Sequence, residues 1–169
     1  MIRRGLLIAG ALVVVAALAV AGTLVVLYLP ARAKISSALS AVPDELRPPP
    51  DSFVEAASCV HRHGVAHLVA RKLLVSEGLD HARAIVWTAR YIVWTEAVDR
   101  LFPEDAMALY ADTLNHKAGV GLLSGARAYF SKRPAELTRG EAVEFVLADA
   151  DPAHAFPDLL ETFKRKCSE

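Results

Sequence analysis

Gly5 to Leu29 is a run of 25 residues without one charged side chain, GLLIAGALVVVAALAVAGTLVVLYL. No other stretch limits the chain so strongly. At 1.5 Å of rise per residue it makes roughly 37 Å of helix, enough to cross a bilayer with some tilt. In lipid every backbone amide must be satisfied internally, so a single span of this kind has to be helical. The remainder must then fold at a membrane surface.

The flanks suggest an orientation. Arg3 and Arg4 precede the run, and Arg32 and Lys34 follow it. The early pair favours a cytoplasmic N-terminus, which places the following domain outside the cytoplasm. Tyr28 suits the interface. Ala31-Arg32-Ala33 has the small-x-small pattern of a signal-peptide cleavage site. Cleaved hydrophobic regions are usually about 7–15 residues long, however, and the longer run here predicts an uncleaved signal anchor. The expected organisation is a cytoplasmic N-terminus at 1–4, a span at 5–29, a juxtamembrane segment with a Pro-rich linker at 30–50, and a helical domain at 51–169. Within 30–50, Ile35, Leu39 and Val42 have helical spacing, Pro43 ends the pattern, and Arg47-Pro48-Pro49-Pro50 reads as a stiff linker.

Nineteen basic residues balance nineteen acidic ones, so the chain lacks the excess positive charge of a nucleic-acid surface. Cys59 and Cys167 lie 108 residues apart with no CxxC spacing, which argues against a zinc or redox motif. Outside the cytoplasm they could pair as a disulfide; two free thiols are the alternative.

The domain reads as all-α. Phe53, Val54, Ala57 and Val60 recur at helical steps behind Asp51 or Ser52 as a cap, and Gly64 marks a break. Ala66, Val69, Ala70, Leu73 and Leu74 form the next apolar face. Leu79 to Leu101 is the longest pattern, apolar over much of its circumference, and is expected at the centre of the bundle. Phe102-Pro103 ends it. Glu104 and Asp105 suit a new first turn, followed by helix to Leu114. A two-glycine loop at 115–121 leads to a small-residue helix ending at Tyr129-Phe130. Thr138 and Glu141 have capping-box spacing before the helix of Ala142 to Ala148. Pro152 and Pro157 mark a loop, and Leu159 to Lys166 a last helix.

The stretch from Gly121 to Lys132, GLLSGARAYFSK, resembles G-[IV]-E-A-A-A-R-x-Y-F-G-K of the family 51 glycosyltransferases, the peptidoglycan transglycosylases. Ala135 to Ala142, AELTRGEA, fits that family's A-x-L-T-x-x-E-A. Phe102-Pro103 and Leu109-Tyr110-Ala111-Asp112 stand where the family has an aromatic-proline pair and L-Y-L-N. Val69 to Leu74 fits L-A-K-N-L-F. The order and spacing of these segments agree over about Val69 to Pro157. The resemblance is closest to the monofunctional biosynthetic type, which also has one N-terminal membrane helix. It implies a reduced lysozyme-like fold in a bacterial cytoplasmic membrane, facing the periplasm or exterior. It also implies lipid II or glycan strands as ligands, with other cell-wall synthases as partners beside the bilayer.

The family's chemical positions are missing. Its E-D-x-x-F-x-x-H-x-G motif supplies the general base; here only Phe53 and His61-Arg62-His63-Gly64 echo it. The donor-site motif G-x-S-T-[IL]-[ST]-Q-Q falls on His61 to Leu68 without a match. R-K-x-x-E falls on Trp87 to Tyr91, where Arg90 or Tyr91 replaces the second carboxylate. Leu123 and Asp112 stand for a family Glu and Asn. Glu96 and Glu55 are the remaining candidate carboxylates. Each has a plainer reading, Glu96 as a partner of Arg100 and Glu55 as a solvated helix residue. His61, His63 and His67 form a small cluster in which His63 and His67, four apart, have metal-ligand spacing; a third ligand is unspecified, and surface or cap histidines are the plainer reading. The resemblance allows a divalent metal ion, for which the sequence identifies no ligands. Trp87, Tyr91 and Trp94 form either a core stripe or a sugar-stacking platform. Lys132, Arg133 and Arg139 form either a basic patch for pyrophosphate or anionic lipid or a solvated surface.

These losses point to a catalytically inactive relative that binds cell-wall precursor, glycan or a synthase partner. The alternative is an active, divergent transglycosylase that polymerises lipid II by hexosyl transfer.

Overall fold

The computed structural model describes residues 2–79, 84–116, 119–149 and 157–168. Among them the fold is helical apart from one two-residue β-pair. The chain begins with α1 (Ile2–Thr23), passes through a π-turn at Leu24–Tyr28, and continues as α2 (Leu29–Ala41). Pro30 has no N–H to give the carbonyl of Val26, and a local wide turn is one way a membrane helix absorbs such a gap. The helix from Leu12 to Ala41 is long and apolar enough to cross a membrane. The residues from Leu12 to Gly22, and Val25 and Val26, are exposed, with Leu12, Leu18 and Val26 each at about two-thirds.

The expected linker is built differently. Ala31, Ile35 and Leu46 are wholly buried, and Val42 nearly so. The 30–50 segment is therefore part of the core rather than a spacer. Ile35 and Val42 do lie on one helical stripe, but that stripe packs on the domain itself.

Two pairings dominate the rest. The helix α3 (Asp51–Val60) packs on α8 (Arg139–Asp149), and α4 (Ala66–Ser76) packs on α5 (Ala84–Leu101). Asp51 opens α3 in its first turn behind Pro50, with no side-chain cap. Phe53, Ala56 and Ala57 bury one face of α3 completely; burying Phe53 alone contributes about 2–3 kcal/mol. Gly64 takes φ +83°, a left-handed turn that suits glycine, and carries the chain back from α3 into α4.

The helix α6 (Ala106–Thr113) holds the centre, not α5. Ala108, Leu109, Tyr110 and Ala111 are consecutive and all buried, as in a helix surrounded by protein. By contrast, α5 buries only Trp94, Ala97 and Val98, all in its C-terminal half. Small side chains let α6 approach its neighbours, whereas the bulky N-terminal half of α5 has no helix on its outer face.

After α6 comes β1 (Asn115–His116), paired antiparallel with β2 (Gly119–Val120). Gly121, at φ +90°, then starts α7 (Leu122–Phe130). Thr138 and Glu141 form the expected capping box: Thr138 N–H donates to the Glu141 carboxylate at 2.9 Å, and Glu141 N–H to Thr138 Oγ1 at 3.3 Å. The helix α9 (Pro157–Ser168) packs on α8 and α3, where Cys167 bonds Cys59 across a Cα separation of 5.8 Å. The expected loop between Pro152 and Pro157 lies largely outside the described residues.

Candidate functional site

A cavity of about 550 Å³ opens between α4, α6, the β-pair and the end of α8. One face of α4 supplies most of its wall. Leu68, Arg71, Lys72 and Val75 follow the i, i+3, i+4, i+7 spacing of a single helical face. His61, just past α3, and Thr113, Asn115, Val120 and Asp149 close the other side.

Asp149 and Lys72 form the polar centre. The Lys72 ammonium donates to both carboxylate oxygens at 2.7 Å, and the Asn115 backbone N–H donates to Oδ1 at 2.6 Å. The carboxylate is almost fully covered, at 6% exposure against 23% for the lysine. Lys72 also lies over the Tyr110 ring, 5.4 Å from its centroid. Tyr110 Oη shares a hydrogen bond of 2.8 Å with His61 Nε2, and its ring packs near Phe53. His61, Tyr110, Lys72 and Asp149 thus form one connected cluster from four elements.

Burial governs its charges. It lowers the His61 pKa to about 4, helped by the nearby charge of His67 and opposed by Asp149, so the ring is neutral at pH 7. Burial also pushes Lys72 below its ordinary value, with the hydrogen bond and charge of Asp149 pulling it partly back. The phenol of Tyr110 is pushed up, first by burial and then by Asp149. Arg71 and Lys72 face a single carboxylate in the described lining, which leaves one positive charge in excess. Leu68, Leu73, Val75 and Val120 supply an apolar wall. Such a pocket suits an amphiphile with an anionic head.

Neither sequence candidate lies in this pocket. Glu96 is exposed on α5 and pairs with Arg100 one turn on. Glu55 is exposed on α3 with Arg139 at 3.8 Å. His63 is exposed and His67 half-buried, and no group of three metal-ligating side chains occurs among the described residues. A divalent ion does not fit the cavity either, because Asp149 is already held by Lys72 and Asn115, and His61 by Tyr110. The aromatic stripe divides: Trp94 is core, while Trp87 and Tyr91 are half-buried and stack with centroids 5.0 Å apart. The basic patch is paired: Lys132 with Glu141, Arg133 with Glu136, Arg139 with Glu55.

Sequence reading missed the cluster because Lys72 and Asp149 are 77 residues apart. One signal was present. Arg71 and Lys72 are adjacent cations between Val69-Ala70 and Leu73-Leu74, without a carboxylate within four residues on either side, so a cation drawn toward that apolar face needs a partner from elsewhere in the chain. No protein-family model, curated protein or solved structure matches the chain.

Proposed function

We propose that this chain is a membrane-anchored, catalytically inactive relative of the family 51 glycosyltransferases. On this reading its helical domain has a reduced lysozyme-like fold outside a bacterial cytoplasmic membrane, with the N-terminus inside. Its pocket holds the anionic head of a lipid-linked cell-wall precursor for a partner synthase. The family rests on the matches from Val69 to Ala142, and the helical order is compatible with them.

One observation carries the inactive reading. Glycosyl transfer to a sugar hydroxyl needs a carboxylate free to take the proton. Asp149 is the single carboxylate in the described lining, and it accepts three hydrogen bonds from Lys72 and Asn115. A covered carboxylate held by three donors of the protein itself is not free to reach a substrate hydroxyl. The excess positive charge and apolar wall still suit binding.

The test uses purified full-length protein in detergent with fluorescently labelled lipid II. Binding without glycan polymer is the expected result. Polymer formation would overturn the inactive reading. Absence of binding at micromolar lipid II would overturn the precursor reading and leave the alternative that the domain contacts a synthase directly.

A further inference from the structure

We propose that the N-terminal half of α5 is seated in the outer interface of the bilayer, beside the membrane-spanning helix, and that it brings the pocket rim to the lipid surface. The proposal rests on the anchored reading of α1, and it concerns a lipid surface rather than the pocket's ligand.

Between Ala84 and Val93 this helix buries no side chain fully, although Trp87, Ala89, Arg90, Tyr91 and Val93 are half-buried. Ile85 is 84% exposed and Ile92 56%, two turns apart on one face, with Val86 at 42% beside them. Large apolar side chains grouped in this way mark an interaction surface. The helix also packs against Leu24–Tyr28, the π-turn in the last part of the uncharged run. Val25, Val26 and Leu29 on that turn and just past it are more than half exposed as well. The two apolar surfaces therefore adjoin, and one of them already belongs to a helix that crosses lipid. That continuity identifies the occupant as the bilayer.

The polar residues of the segment fit the same depth. Trp87 and Tyr91 stack on each other, and both residue types collect at the membrane interface. Arg90 is the single charged residue from Ala84 to Val93, and its long stem can carry the guanidinium up to the headgroups.

The pocket follows from this placement. The salt bridge from Lys34 to Glu77, 2.5 Å, ties the end of α4 to the emerging helix. Lys34 is five residues past Leu29, or about 8 Å of helical rise. Val75 and Ser76, the pocket wall nearest Glu77, thus lie close above the lipid surface.

Trp87 and Trp94 are the only two tryptophans of the chain, which permits a direct test. The full-length protein is reconstituted into phosphatidylcholine–phosphatidylglycerol vesicles containing phosphatidylcholine brominated near the headgroup end of its acyl chains. Brominated lipid should quench the share of emission that comes from Trp87. Trp87→Phe should abolish that quenching and keep the emission of Trp94. Ile85→Lys with Ile92→Lys should reduce the quenching in the presence of both tryptophans. Equal quenching in wild type and Trp87→Phe, or none in either, overturns the proposal. So does cross-linking of α5 to α5 in a dimer with Trp87 unquenched, which would make this face a contact between copies. A chain that alkaline carbonate strips from the vesicles overturns both this proposal and the anchor. Quenching that persists while lipid II binding fails supports this seating and removes the pocket reading alone.

Discussion

Breaking the Lys72–Asp149 pair offers the sharpest measurement of whether the pocket cluster is a structural unit. Asp149→Asn keeps the shape of the side chain and removes its charge. The Lys72 ammonium would remain at 23% exposure with the Tyr110 ring, 5.4 Å away, as its nearest compensating group. A cation over an aromatic ring regains about 0.5–1 kcal/mol, far less than a buried carboxylate supplies. Removing one partner of a buried pair costs about 3–5 kcal/mol, and the partial exposure of Lys72 puts the expected loss near the lower end, about 3 kcal/mol. Lys72→Met should cost a similar amount, because the covered carboxylate keeps only the Asn115 N–H at 2.6 Å. The double variant removes both charges, and its amide oxygen can still accept from Asn115. Its total loss should therefore fall well short of the sum, by about 2 kcal/mol or more. Urea unfolding of the four full-length proteins in the same detergent, followed by far-UV circular dichroism, gives the cycle. Single losses under about 1 kcal/mol, or strict additivity, would refute the reasoning, since neither is compatible with a covered, mutually dependent pair.

The His61 ring should make stability depend on pH. Its folded pKa is about 4 against 6.5 unfolded, so the unfolded chain binds a proton that the folded chain refuses, and stability falls as pH drops from 6.5 to 4. Discounted for the solvent-facing part of the ring, the loss is on the order of 2 kcal/mol, and His61→Gln should flatten that part of a stability–pH curve. Gly121→Ala should cost about 2 kcal/mol in urea unfolding, because φ is +90° and an added Cβ would lie 3.1 Å from the Asp112 carbonyl oxygen. Thr138→Ala should lower stability by about 1 kcal/mol through loss of the reciprocal cap on α8. Reduction of Cys59–Cys167, which closes a loop across 108 positions, should lower the urea midpoint by an amount equivalent to about 2–5 kcal/mol; an unchanged midpoint would count against the bond.

Local features were readable from sequence where a local cause fixes them. The uncharged run, the Gly64 break, the Thr138–Glu141 box and the apolar face of α4 each depend on residues within one or two turns. The pairing of Glu96 with Arg100 was legible for the same reason, being an i, i+4 contact. Features set by packing were not. Periodicity shows that α5 is widely apolar but cannot say that protein covers only its C-terminal half. The prolines at 48–50 read as a linker, yet Leu46 before them and Pro49 among them are buried, because residues 30–50 fold back on the domain. The pocket cluster draws on His61, Lys72, Tyr110 and Asp149, and tertiary contact alone brings them together.

The buried juxtamembrane segment changes what the anchor does. A flexible tether would hold the domain near the membrane while letting any face meet it. Here Ala31 and Ile35 are fully buried on α2, which continues α1 through one π-turn. Turning the domain relative to the bilayer would strip both side chains and Val42 from the core. By area, burying Ile35 alone is worth about 1.5–3 kcal/mol, so such a motion competes with a substantial part of the stability of a domain this size. On the proposed anchored reading the mount is therefore rigid, and its geometry selects the face of the domain that the lipid meets. That face includes the exposed half of α5 and the end of α4, with the excess charge of Arg71 and the apolar wall of Val75 behind it. A site with no free carboxylate gains little from being positioned for chemistry. On the proposed reading, fixed orientation at the lipid surface would serve binding, because an amphiphile held in the bilayer can present its head without leaving the lipid.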